Sequence, residues 1–344
     1  MSDEPAAADL DSRSKPFRPR RWLRFSLRTL FIALAIFGVW LGMRVERANR
    51  QRRAVAELQA LGARVLYAHQ IEILDGASLS IHVAAPLPGP VWLRRWMGDD
   101  YFQRAVLVSF NNQEAPDIHA ELLASLPELE VLSVNISWAN DEDLLEIARL
   151  KELKVLNLTY TAVTDEGLAH LTRLRNLRDL GLHLTAISDA GCKHLAEIRS
   201  LYYLDLSATD VSDAGLAHLA SLDELRGLTI TETNVSDAGL VHLASMPRLR
   251  LLFLGGTNVT DTGLRQLGAL SELESLTLDC TAVTDAGLDR LVTLTKLRTL
   301  NLWGTQVSEA GAARLRRALP FCTIQTGPGL VPNSTERKRG RPPG

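Results

Sequence analysis

Cysteine is scarce in this 344-residue chain, which holds three. Cys192, Cys280 and Cys322 fall on widely separated turns of the repeat pattern traced below, and an odd number cannot pair completely. The spacing therefore argues against a disulfide framework and for buried thiols. Catalytic equipment is missing as well: the chain carries no nucleophile elbow, no phosphate-binding glycine loop and no His-Glu-x-x-His pair. A non-catalytic protein that needs no cofactor is the reading these absences favour, with an enzyme as a third class behind two binding functions. Net charge is nearly balanced at −2, but its distribution is not even. Residues 1–53 hold twelve Lys or Arg against five Asp or Glu, whereas residues 54–335 carry −12. An acidic body is a poor surface for nucleic acid, so no nucleic-acid partner is expected.

Long apolar runs are also absent, with one exception. From Thr29 to Met43 no charge interrupts, and Trp22, Leu23, Phe25 and Leu27 extend the apolar character backwards. The uncharged core is about 22 Å long as a helix, short of a hydrocarbon span. Adding Trp22 to Arg28, with Arg24 and Arg28 snorkelling to the headgroups, brings it to about 33 Å. A cleaved signal needs small residues just past the apolar core, but Leu41-Gly42-Met43 runs into Arg44. A buried helix of a soluble protein would not be bracketed by arginines. Residues 22–43 are thus read as an uncleaved single-pass membrane anchor, with a cleaved signal and a soluble helix as alternatives. Seven basic residues precede the span, against five with one Glu after it. This excess places the N-terminus in the cytoplasm and the remainder outside. Residues 1–21 read as a disordered basic tail and residues 44–104 as a juxtamembrane helix and cap, in which Trp92 and Trp96 pack against the first repeat edge.

One 24-residue pattern fills most of what remains. Leucine recurs at Leu153, Leu177, Leu201, Leu225, Leu249, Leu273 and Leu297. A second row runs from Leu156 to Leu300, and a third from Leu158 to Leu302 with Ile230 substituting once. Leu156 and Leu158 alternate with Val155, Asn157 and Thr159, so this part is a short strand with one buried face. Then comes Thr164-Asp165-Glu166-Gly167-Leu168, a Ser/Thr-Asp pair ahead of an apolar series, which reads as a capped helix start with its carboxylate beside exposed amides. A strand and two helical turns cannot bury so many leucines alone, so repeats must stack. Strands pack at about 4.8 Å and helices at about 8 to 10 Å, so the stack bends with strands on its concave face. About nine repeats are expected over 105–326, the first degenerate, with a terminal half-repeat placing Phe321 and Ile324 in the slots of Leu297 and Leu300.

The string LxxLxLxx followed by Thr-x-Val-Thr/Ser-Asp-x-Gly-Leu resembles the leucine-rich repeat family. Its subtype is similar to the ribonuclease-inhibitor-like and F-box-associated repeats, here in a bacterial-type membrane-anchored form. The resemblance implies an α/β solenoid, a curved horseshoe with parallel strands inside and short helices outside. It also implies binding of a protein or peptide by a monomeric repeat domain. The alternative it raises is a substrate receptor of the F-box, ubiquitin-ligase type, against which residues 44–104 offer no F-box-like helical segment. One departure is Thr in place of the usual Asn or Cys after the strand, at Thr161, Thr185, Thr209, Thr233, Thr257, Thr281 and Thr305. A row of hydroxyls there could bond loop backbone between adjacent repeats.

The inner face is the candidate site. Projecting the strand slots that face away from the core singles out Tyr203, Phe253 and Trp303 as aromatic anchors, with Asp205 and Asp279 as polar contacts. The histidine row His170, His194, His218 and His242 invites a metal reading. On the helix, however, His170 lies about 200° from Leu168 and points outward. Neighbouring helices are about 10 Å apart, too far to share an ion held at about 2.1 Å. The row is read as a polar outer-face position and no metal is expected. Residues 327–344 form a basic tail in which Arg339-Gly340-Arg341-Pro342 resembles an AT-hook core, read as a solvated disordered end.

Overall fold

The structure is a computed structural model and describes residues 27–73, 79–81, 86–110, 120–134 and 139–327. The two tails, the Asp117 slot of the degenerate repeat and the Arg339–Pro342 string lie outside these residues. The chain forms two compact units, Met1–Arg47 and Ala48–Gly344.

The first unit contains the start of a 34-residue helix, Leu27–Ala60. Its apolar stretch has a mean hydropathy of 1.6 over 18 residues, none of them buried, and by length and composition it is able to cross a membrane. Trp40 stacks on Phe37 and lies under the Arg44 guanidinium, 5.5 Å from ring centroid to cation.

In the second unit the same helix changes character. Ala54, Val55 and Leu58, spaced to share one helical face, are buried in the main core. The helix stops at Ala60, and Gly62 follows with φ of 83°, a left-handed conformation that glycine adopts without steric cost. Gln51 ties the helix to the sheet: its amide donates to the Gln103 carbonyl at 3.0 Å, and its Oε1 accepts from the Ala105 amide at 3.3 Å.

Among the described residues the main sheet has 11 strands. Arg64–Tyr67 pairs antiparallel with Ala105–Phe110 and closes the first edge. From there every neighbouring pair is parallel, through Val131–Val134, Val155–Asn157, Asp179–Gly181, Tyr203–Asp205, Gly227–Thr229, Leu251–Phe253, Ser275–Thr277, Thr299–Asn301 and Thr323–Gln325. The register steps by one repeat each time, so Leu156, Leu180, Leu204, Leu228, Leu252, Leu276, Leu300 and Ile324 lie side by side. Return segments of helix or 3-10 helix follow the strands. Seven-residue α-helices such as Asp165–Leu171 and Asp213–Leu219 give way to a 3-10 segment at Gly239–Ser245 and a four-residue helix at Leu264–Leu267. The three leucine rows are buried between strands and return segments in one continuous core. This is a leucine-rich-repeat-type α/β solenoid.

The repeats are joined by a contact that the periodicity alone does not reveal. An aspartate, in each Ser/Thr-Asp pair and again in Asn140-Asp141, reaches forward to the Ser or Thr that precedes the next return segment. Its Oδ1 accepts the backbone N–H and its Oδ2 accepts the hydroxyl. Among the described residues this occurs seven times, from Asp141–Thr164 to Asp285–Ser308, with hydroxyl bonds of 2.5–2.6 Å and amide bonds of 2.7–2.8 Å. The motif glycine follows from the same contact. A Cβ on Gly167, Gly191, Gly215, Gly239, Gly263, Gly287 or Gly311 would run into that carboxylate. At the solenoid's ends the pattern relaxes. Asp143 takes the glycine slot and completes a capping box with Asn140. Glu309 takes the aspartate slot and turns to Arg316 and Thr326 instead. Ser308 bonds hold the Asp285 carboxyl below the usual carboxylate range.

Four expectations need correction. The threonine row does not link repeats: each hydroxyl donates to the carbonyl three residues earlier in its own repeat, as Thr233 to Ile230 at 2.7 Å, because the tight turn after the strand brings that oxygen within reach. Trp92 and Trp96 do not cover the first repeat edge. They are 70% and 78% exposed, and the strand Arg64–Tyr67 with the Ala54–Leu58 helix face closes that edge instead. Phe321 does not fill the slot of Leu297: it is 88% exposed and Cys322 is buried in its stead, while Ile324 does pair with Leu300. The histidines of the His170 row are half-buried, not fully turned to water.

Candidate functional site

The inner face has three rows of side chains, set by the first and third residues of each short strand and the residue two beyond. At its N-terminal end this face is occupied. Leu66, Leu107 and Val131 form a separate buried cluster, with Ile71 and Val155 packed against it. From Asp179 onward the face carries polar and aromatic groups.

Tyr203 and Asp205 share one strand, and both are half-buried. The Tyr203 ring lies against Gly227 on the next strand, where a Cβ would come within 2.5 Å of its Cδ1. A glycine at 227 thus leaves room for the ring to lie along the sheet. Asp205 Oδ1 accepts from the Ser207 N–H at 2.9 Å and its hydroxyl at 2.5 Å, so one carboxylate oxygen is committed to the local turn. Phe253, half-buried, stands two strands from Tyr203 and Asp205, about 10 Å along the sheet. The Asp279 carboxylate lies over Gly255, whose Cβ would approach its Oδ1 to 2.5 Å. Trp303 is 44% exposed, its amide donates to Asn301 Oδ1 at 3.0 Å, and its indole rests against Gly327. Tyr203 with Asp205 thus makes one patch, Asp279 with Trp303, the same slot on adjoining repeats, makes a second, and Phe253 stands on a strand between them.

Asp179 belongs to the first patch and was not singled out from the sequence. It sits beside Tyr203 in the sheet register, and burial together with the nearby Asp205 carboxylate raises its pKa to about 6. The repeat step places carboxylates at 179 and 205 on neighbouring strands, and that was the available signal. Tyr160 was missed too. It is 55% exposed and meets His183 edge-to-face at 5.5 Å. The turn residue has φ of 61°, a conformation shared along the row by Leu184, Ala208, Glu232 and Cys280. In each case the left-handed residue keeps its N–H bonded to the next repeat, as Tyr160 to the His183 carbonyl at 2.9 Å.

The adjoining rim, ahead of the strands, is built from paired charges. Lys154 bonds Glu130 at 2.8 Å and Lys296 bonds Glu272 at 2.6 Å, each one repeat apart. Arg178 and Arg226 lie over the Tyr202 ring at 5.3 and 4.5 Å. No three His, Cys, Asp or Glu side chains are grouped to hold a metal among the described residues, the His170 row included. The three cysteines are free, with Cys192 and Cys322 buried. Burial, then the Asp189 and Asp165 carboxylates, push the Cys192 thiol up to about 12.

A family profile described as a leucine-rich repeat region matches residues 130–333. The chain belongs to the leucine-rich repeat family. No curated protein matches it significantly. Among solved structures it is similar to an internalin from Listeria monocytogenes, at 24% identity and a TM-score of 0.49 over 59% of this chain and 55% of that one. An internalin C2 from the same species is similar at 22% identity and a TM-score of 0.45, over 61% of this chain and 84% of that one. A leucine-rich repeat protein of Leptospira interrogans is similar at 20% identity and a TM-score of 0.44, over 60% and 56%. The chain thus spans about half the length of the first internalin. As a leucine-rich repeat scaffold, it has an architecture suited to protein–protein interaction.

Proposed function

We propose that this repeat protein is a membrane-tethered recognition scaffold that grips a protein or peptide through its inner strand face and performs no chemistry of its own. The observation that carries this reading is the pinning of the inner-face side chains. Tyr203 lies against Gly227 and Asp279 over Gly255, so the groups a partner would meet are held on a rigid sheet before it arrives. Preorganised aromatic anchors of this kind lose little freedom on binding. Tyr203, Asp205, Phe253, Asp279 and Trp303 are the contacts in this reading, joined by Asp179. Residues 22–43 serve as the anchor, with the N-terminus cytoplasmic and the repeats, of ribonuclease-inhibitor-like type, outside. The exposed apolar helix beginning at Leu27 supports the tether. A basic partner would suit the carboxylates of the first patch.

Affinity capture with the full chain, compared with a Tyr203→Ala/Trp303→Ala variant, tests the site. The variant is expected to lose specific partners that the parent retains, and identical partner sets would overturn the inner-face assignment. Carbonate washing of membranes from expressing cells tests the tether. Release of the protein into the wash would remove it.

A further inference from the structure

The short helix Val91–Met97 is built for one side only. On a helical wheel Val91, Arg95, Trp92 and Trp96 span one continuous arc of about 140°, and Leu93, Met97 and Arg94 fill the rest. The structure divides the helix along the same line: Val91, Trp92, Arg95 and Trp96 are exposed, and Leu93, Arg94 and Met97 are half-buried. Arg94 is turned to Asp99 at 3.5 Å. Two tryptophans that are 70% and 78% exposed, with a 60% exposed Val91 alongside, form an apolar and aromatic face with a cation inside it. A core would use leucine here. Two neighbouring indole rings flanked by an arginine match the boundary of a bilayer, where the ring's apolar body and its N–H can be satisfied at once and the guanidinium meets lipid phosphate.

We infer that Val91–Met97 is an interfacial helix whose Trp92, Trp96 and Arg95 face docks on an anionic lipid surface. The inference rests on the membrane-tethered reading above. Two further observations favour lipid over a protein partner. The chain just past the helix is tied to the segment that follows the apolar run: Gln51, on the Leu27–Ala60 helix, bonds Gln103 and Ala105, six and eight residues beyond Met97. That segment is itself basic, with Arg44, Arg47, Arg50, Arg52 and Arg53. Juxtamembrane cations of this density are attracted to anionic headgroups, so the lipid that would draw this segment also complements Arg95.

The test uses the full chain in vesicles of phosphatidylcholine with a minor share of phosphatidylglycerol, with and without bromine on the acyl chains, reading tryptophan emission. Three variants separate the two membrane contacts: Trp22→Phe/Trp40→Phe, Trp92→Phe/Trp96→Phe, and all four changes together as the baseline. Brominated lipid is expected to reduce emission from both double variants and to leave the fourfold variant unchanged. Reduction in Trp92→Phe/Trp96→Phe alone would overturn the interfacial helix while leaving the anchor standing. No reduction in either double variant would remove the anchor and the inference with it.

Discussion

Asp213 and Ser236, 23 residues apart, are joined twice: Oδ1 of the carboxylate accepts the serine N–H at 2.7 Å and Oδ2 accepts its hydroxyl at 2.6 Å. One side chain thereby satisfies the Ser236 amide ahead of the following return segment and orients its hydroxyl, which in turn accepts from Ala238 N–H at 3.3 Å. Gly239 lies underneath, and its Cα leaves the space that the Asp213 carboxylate occupies. Three motif positions, Ser, Asp and Gly, therefore describe one interlock made between two repeats.

The interlock predicts a double-mutant cycle with a definite sign. Asp213→Ala removes two bonds to a charged acceptor and is expected to cost about 1.5–3 kcal/mol. Gly239→Ala drives a methyl into the carboxylate and is expected to cost about 1–3 kcal/mol. Once Asp213 is alanine the carboxylate is gone and only the backbone Cα at 213, 3.1 Å from the added methyl, still crowds it, so Gly239→Ala should be milder in that background. Urea unfolding of the four proteins measures the coupling. Strict additivity would mean that the glycine is kept for some other reason.

This interlock also marks how far the sequence could be read. Solenoid, strand slots and buried rows all follow from apolar residues returning every 24 positions, because burial is a property of single positions repeated. The role of Asp213 is a property of pairs. At the level of one repeat its carboxylate next to a helix start has a sufficient local explanation, and nothing in the spacing says that it points to the neighbour. The threonine row failed in the opposite sense, since a hydroxyl that could bridge repeats finds a carbonyl at three residues' distance first. In the site, the inner-face positions of Tyr203 and Trp303 were legible from strand alternation. The pressing of Tyr203 on Gly227 was not, because it depends on a gap one repeat away. Trp92 and Trp96 were misjudged because helical spacing gives the shared face of two residues but not which side of the chain covers it.

A local bond should cost less than a shared one. Thr233 Oγ1 donates to the Ile230 carbonyl within its own turn and is buried, so Thr233→Val keeps the shape and loses one neutral bond. The expected loss is about 1 kcal/mol, below that of Asp213→Ala. Chemical denaturation of the two variants side by side would check the ranking, and a larger loss at Thr233 would contradict the assignment of the ladder to the aspartates.

Thiol chemistry should report the closure of the core. Cys192 is fully buried on its helix, and burial with the Asp189 and Asp165 carboxylates pushes its pKa up to about 12, so the reactive thiolate is scarce at neutral pH. Burial also raises the Cys322 thiol. Mass-spectrometric mapping after treatment with a disulfide reagent is expected to find Cys192 unmodified in the folded protein and modified in urea. Rapid modification without denaturant would mean that this repeat opens far below the global unfolding free energy.

Asp179 carries a pH signature of its own. Burial first and the Asp205 carboxylate second raise its pKa from 3.8 to about 6 in the folded chain. Between these two values the folded protein binds more protons at this group than the unfolded chain, so stability falls as pH rises through that window. The penalty is absent below pH about 4 and complete above about 6, and it amounts to at most about 3 kcal/mol, less where solvent reaches the carboxylate. Asp179→Asn keeps the shape without the charge. It is therefore expected to stabilise the protein against urea at pH 7 and to make little difference at pH 4, with the crossover between. A cationic partner group docked beside Asp179 would offset the same penalty in the native protein, so binding of a basic peptide to this patch should lower the Asp179 pKa, observable by NMR titration of its carboxyl carbon. An unchanged titration in the presence of a partner would place that partner away from this part of the inner face.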